Sequence, residues 1–404
     1  MGLFYIYFIF INRRSFKMNP SSKKRLALAA LIFAFAVAAL NAQIPGNMLG
    51  QAINQSGFDY VPENEFNKVF QEFLGKNYPQ KSTFSQREVE GVTTAFALYV
   101  VNNATVSAQW KKYADAKKFY ESGFANLNKR DYNSAIVAFT ETIRLNPNYA
   151  EAYYWRGYAY RQKDDNDHAI ADLTQAIRFD PNDEDAYYWR ARAYSSKKDY
   201  DRAIADYTQA IRLNSNYADA YYFRAVAYDL GKKDYDRAIA DYSQAIRVRP
   251  RPNASDYNAR GSAYKDKQDY DRAIADYTEA IRLSPNYAPY YSYRASAYYS
   301  KKDYDRAIAD YTEAIRLSPN TDYYYGLRAK AYIEKGDYDR AIADYNEEIR
   351  ISPNSKYNYS DRADAYNKKG NYALARADVN KALQIDPNYQ EAKDLDAELK
   401  QKGY

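Results

Sequence analysis

From residue 116 to residue 389, small and bulky side chains return in a fixed order every 34 residues, with one-residue insertions near Gly231 and Asn253. Counted from the start of each of the eight units, a small residue holds the eighth place: Gly123, Gly157, Ala191, Ala225, Gly261, Ala295, Ala329 and Ala363. Alanine holds the twentieth place throughout, from Ala135 and Ala169 to Ala375. Small side chains at these two places let a pair of antiparallel helices approach closely, which bulkier ones would prevent. Tyrosines supply the bulk, at the eleventh place from Tyr160 to Tyr366 and at the twenty-fourth in Tyr207, Tyr242, Tyr277, Tyr311 and Tyr345. Proline closes seven units (Pro147, Pro181, Pro250, Pro285, Pro319, Pro353 and Pro387), and Ser215 stands in its place in the third. Lacking a backbone donor, it stops the second helix and turns the chain into the next unit.

The flanks follow other patterns. Residues 43–115 show no period, but apolar spacings of three and four predict helices over Glu63–Leu74 and Gln86–Val101, either a small domain or an N-terminal cap. The acceptor-like triplet Asn103-Ala104-Thr105 has meaning only in a cell that glycosylates secreted proteins. Beyond the last proline, residues 390–404 predict a polar capping helix with Ala392, Leu395 and Leu399 on one stripe. At the other end, residues 1–42 contain a secretory signal over Met18–Ala42. Its basic start is Lys23-Lys24-Arg25, its apolar run Leu26–Leu40, and its small-residue end Ala42. The true start is read as Met18. The run is 15 residues long, short of the roughly 20 that span a membrane, so removal after export is expected. Leu40 is not the small residue usual at that cleavage position, and an uncleaved anchor is the alternative. Either way the repeats are expected outside the cytoplasm, in a periplasm or at the cell surface.

Composition narrows the chemistry. The chain has no cysteine and one histidine, His168, so disulfides, thiolate metal sites and multi-imidazole zinc sites are excluded within one chain. The six excess positive charges, Arg13, Arg14, Lys17, Lys23, Lys24 and Arg25, all precede residue 43; the remainder carries 52 basic and 52 acidic residues. Such a neutral body, with signs alternating inside every unit, lacks the positive field that nucleic-acid binding requires. No glycine-rich phosphate loop or serine-centred elbow is present. His168 occupies a place held elsewhere by Arg202, Arg237, Arg272, Arg306 and Arg340, and reads as a solvent-facing substitute.

The charges also fit helices. Asp199 and Asp201 open the second helix of the third unit and Arg212 closes it, each with the sign its dipole favours. Arginine at place 7 (Arg156, Arg190, Arg224, Arg260, Arg294, Arg328, Arg362) faces aspartate at place 23 (Asp172, Asp206, Asp241, Asp276, Asp310, Asp344, Asp378). These predict a structural ladder of ion pairs along the stack.

This arrangement resembles the tetratricopeptide repeat family, whose signature is small at 8 and 20, aromatic at 11 and 24, and proline at 32. The resemblance covers about two thirds of the chain and rests on packing residues, so it specifies the fold and says little about the ligand. Asn126, Asn166 and Glu348 depart from the pattern at places 11, 17 and 27, which puts the tightness of their units in doubt. The resemblance implies an all-α, right-handed superhelical solenoid. It also implies a concave groove lined by places 2, 5, 6, 9, 12 and 13 of each first helix. Carried over, the groove residues are Tyr154, Trp155, Tyr158, Arg161, Tyr188, Trp189, Arg192, Tyr222 and Phe223. Aromatics and arginines anchor partners because they bury much area at little entropic cost; padding between helices is the other reading of Trp155 and Trp189. From the fifth unit on, Asn258, Ser262, Ser292, Ser296, Ser360 and Asp364 predict a less adhesive groove. The lysine and asparagine clamp that some relatives use for chaperone C-termini is absent.

The expectation is therefore a non-enzymatic scaffold that binds a peptide or protein, with no catalytic residues, metal or cofactor, no nucleic acid, and membrane contact only through an uncleaved N-terminus. A structural or assembly subunit acting through the convex face or residues 43–115 is the second reading. An enzyme with its site hidden in that non-repeat region is the third.

Overall fold

The computed structural model describes residues 61, 63–78, 95–96, 99–100, 102–251 and 253–404. The expected export signal and most of the helix expected over Gln86–Val101 lie outside the described residues. Those described form helices and turns with no strand, in two compact units, Met1–Pro181 and Asn182–Tyr404. No helix among them is long and apolar enough to cross a membrane.

In the first unit, α1 (Glu63–Asn77) contributes Phe73 to a small aromatic core with Val61, Phe96, Val100 and Trp110. The ring of Phe73 lies 5.2 Å from that of Phe96, which meets Trp110 edge-on at 6.2 Å. Next comes α2 (Ala104–Asn128), capped by the Asn103 side chain, which accepts from the backbone N–H groups of Thr105 and Val106. The asparagine of the glycosylation-like triplet is thus a helix cap. Because α2 runs unbroken past residue 116, the repeat pattern begins in mid-helix. Helices α3 (Tyr132–Leu145), α4 (Ala150–Gln162) and α5 (Asn166–Phe179) complete the unit. The reason for a small residue at place 8 is direct: a Cβ on Gly123 would lie 2.7 Å from the Phe139 ring of α3.

The second unit holds six hairpins and a cap. They are α6 (Glu184–Ser196) with α7 (Tyr200–Leu213), α8 (Ala218–Val226) with α9 (Tyr235–Val248), and α10 (Ala254–Asp266) with α11 (Tyr270–Leu283). Then follow α12 (Ala288–Ser300) with α13 (Tyr304–Leu317), α14 (Asp322–Glu334) with α15 (Tyr338–Ile351), and α16 (Lys356–Lys369) with α17 (Tyr372–Ile385). The cap α18 (Gln390–Gln401) buries Ala392, Leu395 and Leu399, the stripe expected from the sequence. The insertion near Gly231 is absorbed as a π-helical turn, Ala227–Lys232, that extends α8. The insertion near Asn253 falls in the link between α9 and α10 and leaves both helices regular.

Each hairpin turn is closed by a residue in the left-handed region, such as Lys198 (φ 60°), Lys302 (φ 63°) or Gly336 (φ 75°). That conformation lets the Asp199 N–H reach back to the Tyr194 carbonyl, so the turn satisfies the end of α6 before α7 begins. Asp199 then caps α7 by accepting from the Arg202 N–H, and Asp234, Asp269, Asp303 and Asp337 repeat the device.

The arginine and aspartate ladder forms inside every hairpin after the first, where Ser122 and Ala138 hold the two places. Arg294 donates from Nε and Nη2 to both carboxylate oxygens of Asp310, at 2.7 and 2.8 Å, and Arg224, Arg260, Arg328 and Arg362 grip Asp241, Asp276, Asp344 and Asp378 in the same way. In the first unit Arg156 holds Asp172 likewise. The remaining Nη1 reaches the preceding hairpin, from Arg294 to Thr278 at 3.0 Å, from Arg224 to Thr208 and from Arg260 to Ser243. The aspartates are buried, so each pair is a desolvated, bidentate joint between helices and between hairpins.

Candidate protein-binding surface

The nine residues expected to line a groove are divided between the units. In the first, Tyr154, Trp155, Tyr158 and Arg161 all project from α4 and are half-buried. The Trp155 ring meets Phe124 of α2 at 5.2 Å, Tyr154 at 4.8 Å and Tyr158 at 5.7 Å, each edge to face, and its indole is hydrogen-bonded to the Tyr120 hydroxyl. Trp155 therefore packs between helices while keeping part of its surface open.

In the second unit, α6 and α8 bring Tyr188, Trp189, Arg192, Tyr222 and Phe223 together. Tyr188 is only 5% exposed and sits in the core with Tyr207, Ala191 and Ala203, so it supports the surface more than it presents one. Its hydroxyl accepts from Arg192 Nη1 at 3.0 Å. The Arg192 guanidinium lies 3.7 Å from the centre of the Phe223 ring, well inside cation–π range. Tyr222 stands edge-on to Phe223 at 5.1 Å and to Tyr242 at 5.5 Å, and burial pushes its phenol up. The result is a continuous aromatic surface carrying one arginine fixed by a hydroxyl and a ring.

His168 does what the arginines at its place do. It binds Asp165, the cap of α5, through Nδ1 at 2.8 Å and stacks on Tyr160 at 4.9 Å, while Arg202 binds Asp199 and lies over Tyr194. Among the described residues, no three His, Asp or Glu side chains converge as a metal site would require.

The later hairpins are less polar at the surface than expected. Ser292 and Ser360 are buried, while Tyr293 is 44% exposed and Tyr323 59%. Both tyrosines occupy groove places, 6 and 2, whereas the polar residues stand at places 5 and 9.

Family models described as "Tetratricopeptide repeat" match residues 184–217 and 229–288, 258–322, 294–356 and 327–389, and one described as "TPR repeat" matches 129–164 and 157–197. The chain belongs to the tetratricopeptide repeat family. Among solved structures, it is similar to the C-terminal part of a TPR repeat-containing protein from Cytophaga hutchinsonii, at 19% identity over 60% of this chain and 98% of that one, with a TM-score of 0.53. A tetratricopeptide repeat protein from Parabacteroides merdae is 20% identical over 61% of this chain and 97% of its own, with a TM-score of 0.46. YrrB, described as a TPR protein with an unusual peptide-binding site, is 22% identical over 45% of this chain and 92% of its own, at 0.40. No curated protein matches the chain. Tetratricopeptide hairpins of this kind make the chain a protein-interaction scaffold.

Proposed function

We propose that a peptide or protein partner lies along the first helices of the hairpins, outside the cytoplasm, with the aromatic and arginine surface of α6 and α8 as its anchor. The observation that carries this reading is the Arg192 guanidinium held against Phe223 at 3.7 Å and bonded to Tyr188. A side chain fixed before binding loses little freedom on binding, so the partner alone bears most of the ordering cost. The surface around Trp155 in the first unit offers the same chemistry. Export rests on the signal-like segment Met18–Ala42.

Affinity purification from the native envelope identifies the partner, whose binding is then measured with the Trp155→Ala/Trp189→Ala variant. At least a thirtyfold loss is expected, about 2 kcal/mol; unchanged binding would transfer the role to another surface. N-terminal sequencing of the exported protein checks the location, and an intact Met18 would overturn cleavage.

A further inference from the structure

We propose that a cleft in the second unit, walled by Arg249 and Arg251, receives an aspartate or glutamate side chain of the protein partner. The inference rests on the reading of the chain as a protein-interaction scaffold, and it uses none of the residues of the aromatic anchor. It begins with a break in the repeat. In the other seven units, places 31 and 33 hold Asn, Asp or Ser and then Asn, as in Ser284 with Asn286 and Ser318 with Asn320. The link between α9 and α10, which also carries the inserted residue, has Arg249 and Arg251 there instead. A third departure accompanies them: Asp256 is the only acid at place 3 in the eight units.

Asp256 is 1% exposed and accepts from Arg249 Nε at 2.5 Å, while Asp219, at the start of α8, accepts from Arg249 Nη2 at 2.8 Å. A buried acid therefore fixes this guanidinium in place. Its Nη1, with two N–H groups, has no hydrogen bond among the described residues, and the exposed Arg251 has neither an ion pair nor a hydrogen bond among them. Both arginines line a cleft of about 620 Å³, which Leu283, Ser284 and Tyr290 of the following hairpins help to complete. They are the only charged residues on its wall; Asp219 and Asp256 lie outside it. Asn253, also on the wall, spends its side-chain oxygen on the cap of α10.

The two acids balance the charge of the site from behind but offer no oxygen to the cleft, so what the cleft presents is donors. Two guanidiniums with unused N–H groups suit a carboxylate, whose paired oxygens match the guanidinium fork. Leu283 and Tyr290 suit apolar groups next to that carboxylate in the partner. The cleft is open to solvent, so a chain can run through it and need not end there, which favours an acidic side chain over a chain terminus. Because Arg249 is held before binding, it loses little freedom when the carboxylate arrives.

The test uses the full mature chain and the peptide acetyl-Ala-Leu-Glu-Leu-Ala-amide, with its glutamine counterpart as the neutral control, followed by NMR titration at low ionic strength. The unaltered chain should prefer the glutamate peptide; no preference would overturn the proposal. Arg251→Gln should weaken the glutamate peptide about tenfold or more and leave the glutamine peptide unaffected. Arg316→Gln makes the same change in net charge elsewhere and should cost less than about twofold. Equal losses in the two variants, or none in the first, would overturn the receptor. Acetyl-Ala-Leu-Ala with a free C-terminus forms a third arm: if Arg251 matters to it and not to the glutamate peptide, the cleft reads a chain end and the proposal falls. The melting temperature of Arg251→Gln should stay level, since the side chain is exposed; a clear fall would make the residue structural and would also overturn it. If native-partner binding depends on Trp155 and Trp189 while the glutamate peptide ignores Arg251, only this inference fails; the converse pattern removes the proposed anchor and leaves the cleft standing.

Discussion

Within the second unit, the hairpins over residues 184–248 and those over 288–351 fill the same space from opposite sides. In the earlier pair, place 3 is alanine and place 5 tyrosine: Ala186 with Tyr188, and Ala220 with Tyr222. In the later pair the bulk has moved, to Tyr290 with Ser292 and Tyr324 with Gly326. Ala186, Ala220, Tyr290, Ser292 and Tyr324 are all buried, so the exchange takes place in the packing and not at the surface. Tyr290 packs on Ala280 and Ile281 and Tyr324 on Ala314 and Ile315, whereas Tyr188 packs on Tyr207. One hairpin scaffold thus tolerates two distributions of volume provided the total is kept. The choice also changes what is displayed: Arg192 on Phe223 in the earlier pair, exposed Tyr293 and Tyr323 in the later.

The largest effect should come from a feature that the two regions share. Arg224→Ala and Arg294→Ala each strand a buried aspartate, and each should lower stability by about 3–5 kcal/mol in denaturant unfolding. Equal costs are expected because both joints hold the same geometry, 2.7 Å from Nε to the carboxylate. Unequal costs would show that the regions differ beyond places 3 and 5.

The exchange itself can be run backwards. Tyr324→Ala, which empties the space beside Ala314, should cost about 3 kcal/mol by opening a cavity, and Ser292→Tyr about 2 kcal/mol by overpacking that same space. Together they rebuild the earlier arrangement, so the double variant should be less damaged than the sum of the two by at least about 1.5 kcal/mol. Strict additivity would dismiss the idea that one ring replaces the other.

A third arrangement in the later region adds a dependence on pH. Glu348 stands where the neighbouring hairpins have Ala314 and Ala382, and a Cβ on Gly326 would overlap its carboxylate, so the glycine makes its room. Burial, with the charge of Asp361 next, pushes its carboxyl up to about 8. The folded chain then keeps a proton that the unfolded chain releases near its ordinary 4.5. Stability should therefore fall as pH rises from about 4.5 to 8, by on the order of 2–4 kcal/mol in total. Glu348→Gln should remove that slope in melts across this range; a slope that survives would assign it to another group.

Why some of this was legible follows from what repetition exposes. Places 8, 20 and 24 recur because two helices must touch there, as Gly123 against Phe139 does, and recurrence is visible without coordinates. Arg294 and Asp310 were pairable for the same reason, but the bond from Arg294 to Thr278 links different repeats and leaves no mark inside one. Glu348 is visible in the sequence as a departure, but its accommodation depends on Gly326 opposite, in another helix, which the repeat register does not show. Among the nine groove residues, Tyr188 belongs mainly to the core, because periodicity tells which face a residue lies on and not how deeply its neighbours cover it. The insertion near Gly231 was readable as one extra residue; that it becomes a π-helical turn and not a loop depends on packing.

The guanidinium that belongs to two hairpins at once has a genealogical consequence. Each copy from the second on carries its own acceptor, and copies offer a hydroxyl, or in one case Asn346, to the copy that follows. A gene segment of this length can be duplicated or lost in one piece, and the new neighbours meet already matched. A lysine, with one nitrogen in place of three, could not serve both sides. Arrays can lengthen or shorten by whole copies while that single residue type stays arginine.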